Sequence, residues 1–337
     1  MARLEALLRA HYGKRHALCV SNATTGLLAL AVALEMRGQE FLTTPYTWGG
    51  TLAGWLLLGN RPRFADIDEQ TLGIDPESAR TRITKNTAAI LAVDIYGIPS
   101  DTAALRRLAL EHDLLYIADA AQSLFAYNRG RPASIDADAL VVSFGPGKAV
   151  DAGEGGAIVT DDDLLYEKLL WHTQHPRRQR RELGLGCDNE FALNARIHPA
   201  AAEAVALTWD DRYAETGCRR RDCMRWIERL EAGNRIEPSR LALRGIEPSF
   251  PRCTAAWKGI QEDAGGWRIS PAPVRLLYRQ PAFLAQYGPI DPPECPRAER
   301  QQAVRVCVEP QPEPAVRIWP EERYPQCHET ALDVDSR

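Results

Sequence analysis

Lysine is scarce in this chain, which holds five lysines against thirty-six arginines among its 337 residues. The sequence also lacks a basic-then-apolar signal segment at its start and any uninterrupted apolar stretch of about 18 residues or more. Neither export nor a membrane span is supported, so we expect a cytoplasmic protein with no membrane partner.

Metal-ligand patterns are missing as well. The eight cysteines are scattered, and no CxxC pair or Cys/His cluster has the spacing of a metal site, so we interpret them as reduced thiols and predict no metal. A net charge of −4 gives no broad attraction to nucleic acid or acidic membranes. We therefore expect a small-molecule partner and no nucleic acid, and we interpret the basic runs at 177–181 and 219–221 as solvated faces.

From residue 17 to residue 160, short apolar runs alternate with longer helical patterns. This alternation predicts an α/β fold with a mainly parallel central sheet flanked by helices. The strand candidates are 17–20, 41–44, 63–65, 88–93, 114–118, 139–144 and 157–160. The helix candidates between them are 25–36, 50–58, 76–83 and 101–112.

The strand rhythm is lost after about residue 205, where arginine, proline and cysteine become more frequent. We predict a large domain at 1–205 and a smaller C-terminal α+β domain at 206–337. The smaller domain should contain a helix near 222–230, a strand or loop near 275–278 and a helix near 297–304. After about residue 309 the chain is too proline-rich and polar for an assignment and is expected to be irregular.

One lysine stands in a segment that suits chemistry. The sequence SFGPGK at 143–148 brings an apolar strand to Ser143, and a glycine-rich turn then presents Lys148 before GEGG at 153–156. Because a primary amine can form a Schiff base and a guanidinium cannot, a lysine kept in an arginine-rich chain favours a covalent role. The segment alone fits a surface lysine in a loop equally well.

A carboxylate follows another buried-type strand. The run LLYIA at 114–118 ends at Asp119, and AAQS follows at 120–123. The carboxyl end of a central strand faces the crevice where α/β sheets bind ligands. In an enzyme that uses pyridoxal phosphate (PLP), a carboxylate there keeps the pyridine nitrogen protonated and makes the ring an electron sink. The alternative is a helix cap, which the position of Asp119, 29 residues before Lys148, disfavours.

The segment SNATTG at 21–26 lies directly after the first strand and directly before an apolar helix. Small hydroxylic residues at a helix N-terminus make a phosphate site, because free N–H groups and the helix dipole point at the anion. The same residue types are also common helix caps. The segment fits the phosphate pocket of a lysine-bound cofactor.

These segments, in this order, resemble the DegT/DnrJ/EryC1/StrS family of PLP-dependent aminotransferases, within the fold type I (aspartate aminotransferase-like) superfamily. The resemblance runs from about Leu4 to Leu207 and more faintly to about residue 309. The family pattern SFxxxKxxxxGEGG is met without a gap at 143–156. The Asp-Ala-Ala-Gln element is met at 119–122, and the Pro-x-Thr-aromatic stretch at 45–48 ends on Trp48.

The resemblance implies a role for each matching residue. Lys148 would form the Schiff base with PLP and shuttle protons, and Asp119 would bind the pyridine nitrogen. Trp48 would stack on the ring, the alternative being an ordinary core tryptophan. Gln122 would lie near the ring oxygen of the cofactor. The phosphate would be held by Ala23, Thr24 and Ser143.

The resemblance also implies a homodimer with shared active sites. Asn194 matches the asparagine of the family's Asn-x-Arg element, which reaches the phosphate of the neighbouring subunit. It follows a polar, glycine-containing stretch and precedes Pro199, which suits a loop before a helix. The alternative is an ordinary turn asparagine.

Three departures from the family concern the substrate side. The family usually has histidine after the Ser-Phe pair, whereas GPG follows here at 145–147, so the loop before Lys148 is expected to differ. We also expect the usual N-terminal leader to be missing, and the C-terminal domain to be short and to lack a clear final helix. Because these parts line the substrate pocket in relatives, we expect the substrate to be the least transferable property.

The leading hypothesis is an aminotransferase that moves an amino group from a donor, glutamate by family analogy, to a keto-sugar or another carbonyl intermediate of a biosynthetic pathway. One alternative is another PLP-dependent reaction on an amino acid, such as decarboxylation, elimination or condensation, since the same electron sink serves all of them. A second alternative is a non-catalytic, PLP-binding regulatory protein. The family's dehydratase branch replaces the lysine with histidine, so Lys148 argues against that branch.

Overall fold

The computed structural model describes residues 1–259, 267–288 and 295–310. The predicted irregular tail after about residue 309 therefore lies almost entirely outside the described residues. Within the described ranges, no helix is both long and apolar enough to cross a membrane.

Helices and strands alternate along the first half of the chain, and the elements of the whole described part are as follows. The helices are α1 (Ala2–Tyr12), α2 (Ala23–Ala33), α3 (Gly49–Leu57), α4 (Pro76–Arg82), α5 (Thr102–Glu111), α6 (Asp163–Thr173), α7 (Pro176–Leu183), α8 (Pro199–Ala232), α9 (Pro281–Tyr287) and α10 (Pro296–Val304). The strands are β1 (His16–Val20), β2 (Glu40–Thr43), β3 (Arg61–Phe64), β4 (Thr87–Val93), β5 (Leu115–Asp119), β6 (Tyr127–Asn128), β7 (Arg131–Pro132), β8 (Ala139–Ser143), β9 (Gly156–Thr160), β10 (Ile246–Glu247), β11 (Thr254–Ala256), β12 (Trp267–Pro271) and β13 (Arg305–Pro310).

The large sheet of the described part has seven strands in the order β1-β9-β8-β5-β4-β2-β3. The strands β3, β2, β4, β5 and β8 pair in parallel, whereas β9 runs antiparallel to both of its neighbours, β8 and β1. The prediction of a mainly parallel central sheet is confirmed. Because parallel strands end at one edge, the segments that follow β4, β5 and β8 meet there.

Helices cover both faces of this sheet, which explains why its inner strands β4, β8 and β9 are mainly apolar. Along β1, Leu18 and Val20 point into the core that contains α2, α3 and α6. Ala17 and Cys19 point the other way, into the core that contains α1, α5 and the first part of α8. A one-residue slip of this strand would exchange the two sets, so the register is strongly specified.

The ends of α2 show how local chemistry sets a boundary. The helix begins at Ala23 rather than at the predicted 25, because the Asn22 side chain accepts a hydrogen bond from Thr25 N at 2.8 Å and so acts as the N-cap. It ends at Ala33 rather than at 36, and Glu35 then turns the chain with a left-handed φ of 58°.

The second half of the chain builds a smaller antiparallel sheet, with β13 between β11 and β12. Together with α9 and α10 this confirms a smaller C-terminal α+β region. The helix predicted near 222–230 is the last part of α8, whose 34 residues run through the predicted domain boundary at 205. The segment predicted as a strand or loop near 275–278 ends in a short 3-10 turn, Leu277–Arg279.

The C-terminal part contacts the segments that follow β2 and β3 through partly buried polar groups. Arg297 binds Asp66 at 3.2 Å and Asp75 at 2.6 Å. Asp75 begins α4, but its side chain makes no capping bond and binds Arg297 instead. Leu277 N donates to Pro45 O at 2.9 Å, immediately beside the segment that carries Trp48.

Candidate active site

A cleft opens at the carboxyl edge of the large sheet, where β4, β5 and β8 end and α2 and α3 begin. Its volume is about 410 Å³, which falls in the range of about 300–1,000 Å³ typical of small-molecule and cofactor sites. The cleft brings together seven of the eight residues selected from the sequence: Ala23, Thr24, Trp48, Asp119, Gln122, Ser143 and Lys148.

Asp119 is the last residue of β5 and is only 7% exposed. Thr51 Oγ1 donates to its Oδ2 at 2.7 Å, and Ala121 N donates to its Oδ1 at 3.0 Å. Burial raises the pKa of Asp119, and these two bonds and the positive charge of Lys148 oppose that rise. Each carboxylate oxygen has one such donor and keeps a lone pair for a donor placed in the cleft.

Thr51 belongs to a short chain of hydroxyl groups. Its Oγ1 also lies 2.9 Å from Thr47 Oγ1, and both residues are buried at the start of α3. A hydroxyl has a single proton, so Thr51 can donate to Asp119 only if it accepts from Thr47. The chain of donors therefore ends on the carboxylate and holds it in one orientation.

Lys148 reaches the cleft from the loop that joins β8 to β9. It is half-buried, and burial lowers the pKa of its ammonium group, while the negative charge of Asp119 opposes this effect. A lowered pKa leaves more of the neutral amine at neutral pH. The neutral amine is the form that attacks a carbonyl carbon.

The N-terminus of α2 directs backbone N–H groups and the positive end of its dipole into the cleft. Thr24 is exposed there, and Ser143 lies beside it at the end of β8. Gly156 permits this arrangement, since a Cβ at that position would lie only 2.8 Å from Ala23 N. The last glycine of the GEGG element thus lets β9 approach the start of the helix.

Trp48 stands immediately before α3 and is 48% exposed. Neither of the two cores includes it, in contrast to Trp55 on the same helix. Its indole lines the cleft and offers an aromatic face to a ring bound there.

Gln122 has one end of its amide already engaged. Its Oε1 accepts a hydrogen bond from Tyr96 N at 3.1 Å, and its backbone carbonyl accepts one from Ser249 Oγ at 2.6 Å. The bond to Tyr96 fixes the orientation of the amide, so its NH₂ group is the part left to donate to a ligand in the cleft.

Asp94 lines the same cleft, although sequence reasoning did not select it. It follows β4 as Asp119 ends β5, and that position was the signal that could have found it. Ser100 N donates to Oδ1 at 2.8 Å, and the Ser123 and Ser134 hydroxyls donate to Oδ2 at 2.8 and 2.7 Å. Burial raises the pKa of Asp94 and these bonds oppose the rise. Because both oxygens accept hydrogen bonds from three separate segments, we interpret the carboxylate as a structural anchor.

Two further residues were missed. Thr51 follows Thr47 by four residues, the spacing of neighbours on one helix face, but nothing local links it to a strand 68 residues away. Asn22 lay in the SNATTG segment and immediately precedes an apolar helix, which is the usual N-cap position.

Asn194 does not join the other predicted site residues. It is exposed, has a left-handed φ of 56° and lies outside the lining of the cleft. The next residue is held firmly, because Ala195 O accepts from Ser21 N at 2.9 Å and Ala195 N donates to Thr173 O at 3.0 Å. Asn194 is thus placed near the end of β1 but outside the lining of its own cleft.

The donor set fits PLP. The cleft combines an amine of lowered pKa, a buried carboxylate with free lone pairs, an exposed indole and a helix N-terminus. These are the partners needed by an aldehyde, a pyridine nitrogen, an aromatic face and a phosphate respectively. No group of His, Cys, Asp or Glu among the described residues has the arrangement of a metal site.

Solved structures share this fold. DesV of S. venezuelae, determined in complex with a ketimine intermediate, is 26% identical with a TM-score of 0.75 over 90% of this chain and 82% of that chain. DesI, determined in the presence of its TDP-sugar product, is 27% identical with a TM-score of 0.73 over 92% and 79%. The E. coli GDP-4-keto-6-deoxy-D-mannose-3-dehydratase, determined with bound hydrated PLP, is 20% identical with a TM-score of 0.77 over 92% and 87%.

The fold and the cleft together define a fold type I enzyme whose cofactor is pyridoxal phosphate. The model of the DegT/DnrJ/EryC1/StrS aminotransferase family matches residues 1–236, well over half of the chain. The chain belongs to this family, and it is a PLP-dependent aminotransferase.

Proposed function

We propose that the enzyme transfers an amino group from glutamate to a keto-sugar, with Lys148 as the residue that binds the cofactor covalently. The observation that carries the proposal is the meeting of Lys148, Asp119 and the N-terminus of α2 in one cleft. The choice of a keto-sugar as the amino acceptor is based on a relative, since DesI was solved with a TDP-sugar product and is 27% identical to this chain.

The bound cofactor would supply an electron sink for the carbanion formed at the substrate carbon. Nζ of Lys148 has two tasks in this scheme. Its lowered pKa favours the neutral amine that attaches the cofactor, and once released the same nitrogen can take a proton from the substrate carbon and return it to another atom.

Asp119 would hold a proton on the pyridine nitrogen. Its two oxygens keep lone pairs free, and the donors Thr51 and Ala121 stabilise the anion that this task requires. A cation bound at the carboxylate would also favour its ionised form, against the rise in pKa that burial causes.

The remaining residues of the cleft would fix the cofactor in place. Trp48 would cover one face of the ring, and the amide NH₂ of Gln122 would donate to the ring oxygen. The phosphate would bind at the start of α2, where Ala23, Thr24 and Ser143 lie together.

The test uses the purified holoenzyme and its visible absorbance. Lys148→Ala should abolish the band of the lysine-bound cofactor, whereas Lys168→Ala should keep it, because Lys168 forms a surface ion pair with Glu35. An unchanged band in the Lys148 variant would show that another lysine binds the cofactor.

The reaction is tested by adding amino donors to the same holoenzyme. Glutamate should bleach the band with release of one equivalent of 2-oxoglutarate, measured by mass spectrometry. Release of carbon dioxide would instead indicate a decarboxylase, and release of free ammonia together with a keto acid would indicate an eliminase, because half-transamination keeps the amino group on the cofactor. A band that no amino acid bleaches would favour a non-catalytic, PLP-binding regulatory protein.

We further propose a homodimer in which Asn194 completes the site of the partner subunit. Asn194 is exposed and lies outside its own cleft lining, and two apolar side chains precede it without cover, since Phe191 is 95% exposed and Leu193 is 51% exposed. In a dimer with two-fold symmetry, each subunit would cover this exposed apolar segment of the other.

Mixed dimers test the shared site. A Lys148→Ala chain is combined with an Asn194→Gly chain, since glycine tolerates the left-handed φ of 56° at that position. One site of the mixed dimer then carries both lesions and the other carries neither, so activity should rise above that of either parent. If subunit exchange is confirmed and the mixture shows only the average of its parents, Asn194 acts in its own subunit.

The domain boundary and the cellular location of the protein also stay proposals. The division into domains at 1–205 and 206–337 is supported by the two sheets but cuts α8, so limited proteolysis is the appropriate test. For the cytoplasmic location, fractionation of cells that express the protein is the test.

A further inference from the structure

The loop that carries Lys148 is closed at its base by backbone hydrogen bonds. Phe144 N donates to Gly155 O at 2.9 Å, and Ala152 N donates to Phe144 O at 2.9 Å. Above this base the chain runs through GPG at 145–147, a sequence with little side-chain mass to hold it in place. Glycine-rich backbone has much conformational entropy to lose, so such a loop needs fixed contacts to present a side chain accurately.

Asp151 provides contacts of this kind from within the loop. Its Oδ2 accepts from Gly147 N and its Oδ1 accepts from Gly153 N, both at 2.9 Å. The two glycines have left-handed φ angles of 73° and 79°, which turn both N–H groups toward the one carboxylate. Space is not the reason for glycine at either position, because no atom of the described part of the chain lies within 4 Å of a Cβ built there.

The bracing acts on the residue next to the lysine. Gly147 immediately precedes Lys148, so a bond at Gly147 N fixes the peptide unit that leads into the lysine Cα. Gly153 immediately precedes Glu154, which lines the cleft together with Lys148. One carboxylate thus joins the outgoing and returning arms of the loop, and both arms carry a side chain into the cleft.

We propose that Asp151 is a positioning residue for Lys148: it braces the loop so that the amine stands where it can attack the cofactor aldehyde. This inference rests on the proposed role of Lys148. A reaction between two groups held in place is fast only while the reacting atoms keep a near-attack geometry, and a freely moving loop would lose this advantage. Asp151 itself touches neither the cleft nor the reacting atoms.

The experiment measures cofactor attachment rather than turnover alone. PLP is added to the apoenzymes of the wild type, Asp151→Ala, Asp151→Asn and the control Asp211→Ala, an exposed aspartate on α8, and the rate constant for growth of the visible band is recorded. We expect Asp151→Ala to lower this rate constant and kcat by about tenfold, the scale set by losing charge-assisted hydrogen bonds. The KM for the amino donor should stay within about twofold.

Asparagine keeps one oxygen acceptor, so Asp151→Asn should fall between alanine and the wild type in attachment rate. Amide hydrogen exchange should accelerate at 147 and 153 in Asp151→Ala, while the denaturation midpoint stays near that of the control. If Asp151→Ala is globally destabilised, the attachment rate and the amide exchange rates of Asp151→Asn decide the outcome instead.

Two results would overturn the inference. Faster exchange at 147 and 153 with an unchanged attachment rate would show that the brace exists but does not position the lysine. Unchanged exchange at both amides would show that the carboxylate does not brace the loop. Failure of the proposed function is recognised separately, because a Lys148→Ala chain would then keep the visible band.

Discussion

Replacing Thr51 by valine tests how strongly the buried hydroxyl chain controls Asp119. The change removes the donor that lies 2.7 Å from Asp119 Oδ2 and leaves a side chain of similar shape. A hydrogen bond to a charged group contributes about 1.5–3 kcal/mol, and one pKa unit corresponds to about 1.4 kcal/mol. The pKa of Asp119, already raised by burial, should therefore rise by a further ~1–2 units.

The direction of the pH effect follows from the charge that the site needs. In the proposed mechanism Asp119 acts as an anion, so activity should be lost as the pH falls through its pKa, and in the valine variant this loss should begin ~1–2 pH units higher. Stability responds with the opposite dependence. A carboxyl group whose folded pKa is raised destabilises the fold most at pH values above that pKa. The penalty shrinks as the pH falls below the folded pKa and is gone below the pKa of the unfolded chain.

The assays are pH profiles of kcat and kcat/KM, together with urea unfolding of the apoenzyme near neutral pH and in acid. The valine variant should lose about 1.5–3 kcal/mol near neutral pH and approach the wild type in acid. Thr51→Ser keeps the hydroxyl and should restore both profiles. Thr43→Val is the matched control, because the buried Thr43 Oγ1 has no hydrogen-bond partner among the described residues. An acid limb of the Thr51→Val profile that overlays the wild type would refute the reasoning.

Two further predictions concern stability. His11 has its pKa lowered from 6.5 to about 4 by burial among aromatic rings, so the folded state is less stable as pH falls from 6.5 through about 4. His11→Leu should remove up to about 3 kcal/mol of this acid loss, measured as unfolding free energies at pH 7 and 4, and a constant difference between the two proteins over that range would contradict it. Gly54→Ala places a Cβ 2.6 Å from Leu28 Cβ at the contact between α3 and α2. We expect a loss of about 1–3 kcal/mol in urea unfolding together with weaker cofactor binding, since both helices border the cleft. Gly49→Ala, with open space around its Cβ, is the stability control, and equal midpoints for the two alanine variants would show that α2 and α3 are not in close contact.

Local sequence patterns predicted the elements whose causes are local. The apolar runs located the strands of the large sheet to within one or two residues, because the central strands are buried on both faces and are mainly apolar. The edge strand β3, which contains Arg61 and Arg63, is the exception. The helix boundaries were less accurate where a single side chain decided them. The N-cap Asn22 makes α2 begin two residues before the predicted start, and the turn at Glu35 makes it end before the predicted end.

The C-terminal half was predicted less well for a different reason. Its elements are held by contacts between distant parts of the chain, such as Arg297 with Asp66 and Asp75. The long helix α8 spans both regions, so the change in composition near residue 205 did not coincide with an end of secondary structure. The composition of a segment does not show where a helix ends. The first part of α8 packs in one hydrophobic core and its last part in the other, so contacts with both cores stabilise the full length of the helix.

The sequence by itself determined which groups the cleft has available. A scarce lysine after a strand, an aspartate at the end of another and hydroxyl groups before an apolar helix are local facts, and parallel strands necessarily bring such ends to one edge. Only the tertiary structure decided how these groups are tuned. The bond from Thr51 to Asp119 joins residues 68 positions apart, and the pKa shifts of Asp119 and Lys148 come from burial and from each other. Desolvation and charge interactions depend on distance in space, which no local pattern of residues contains.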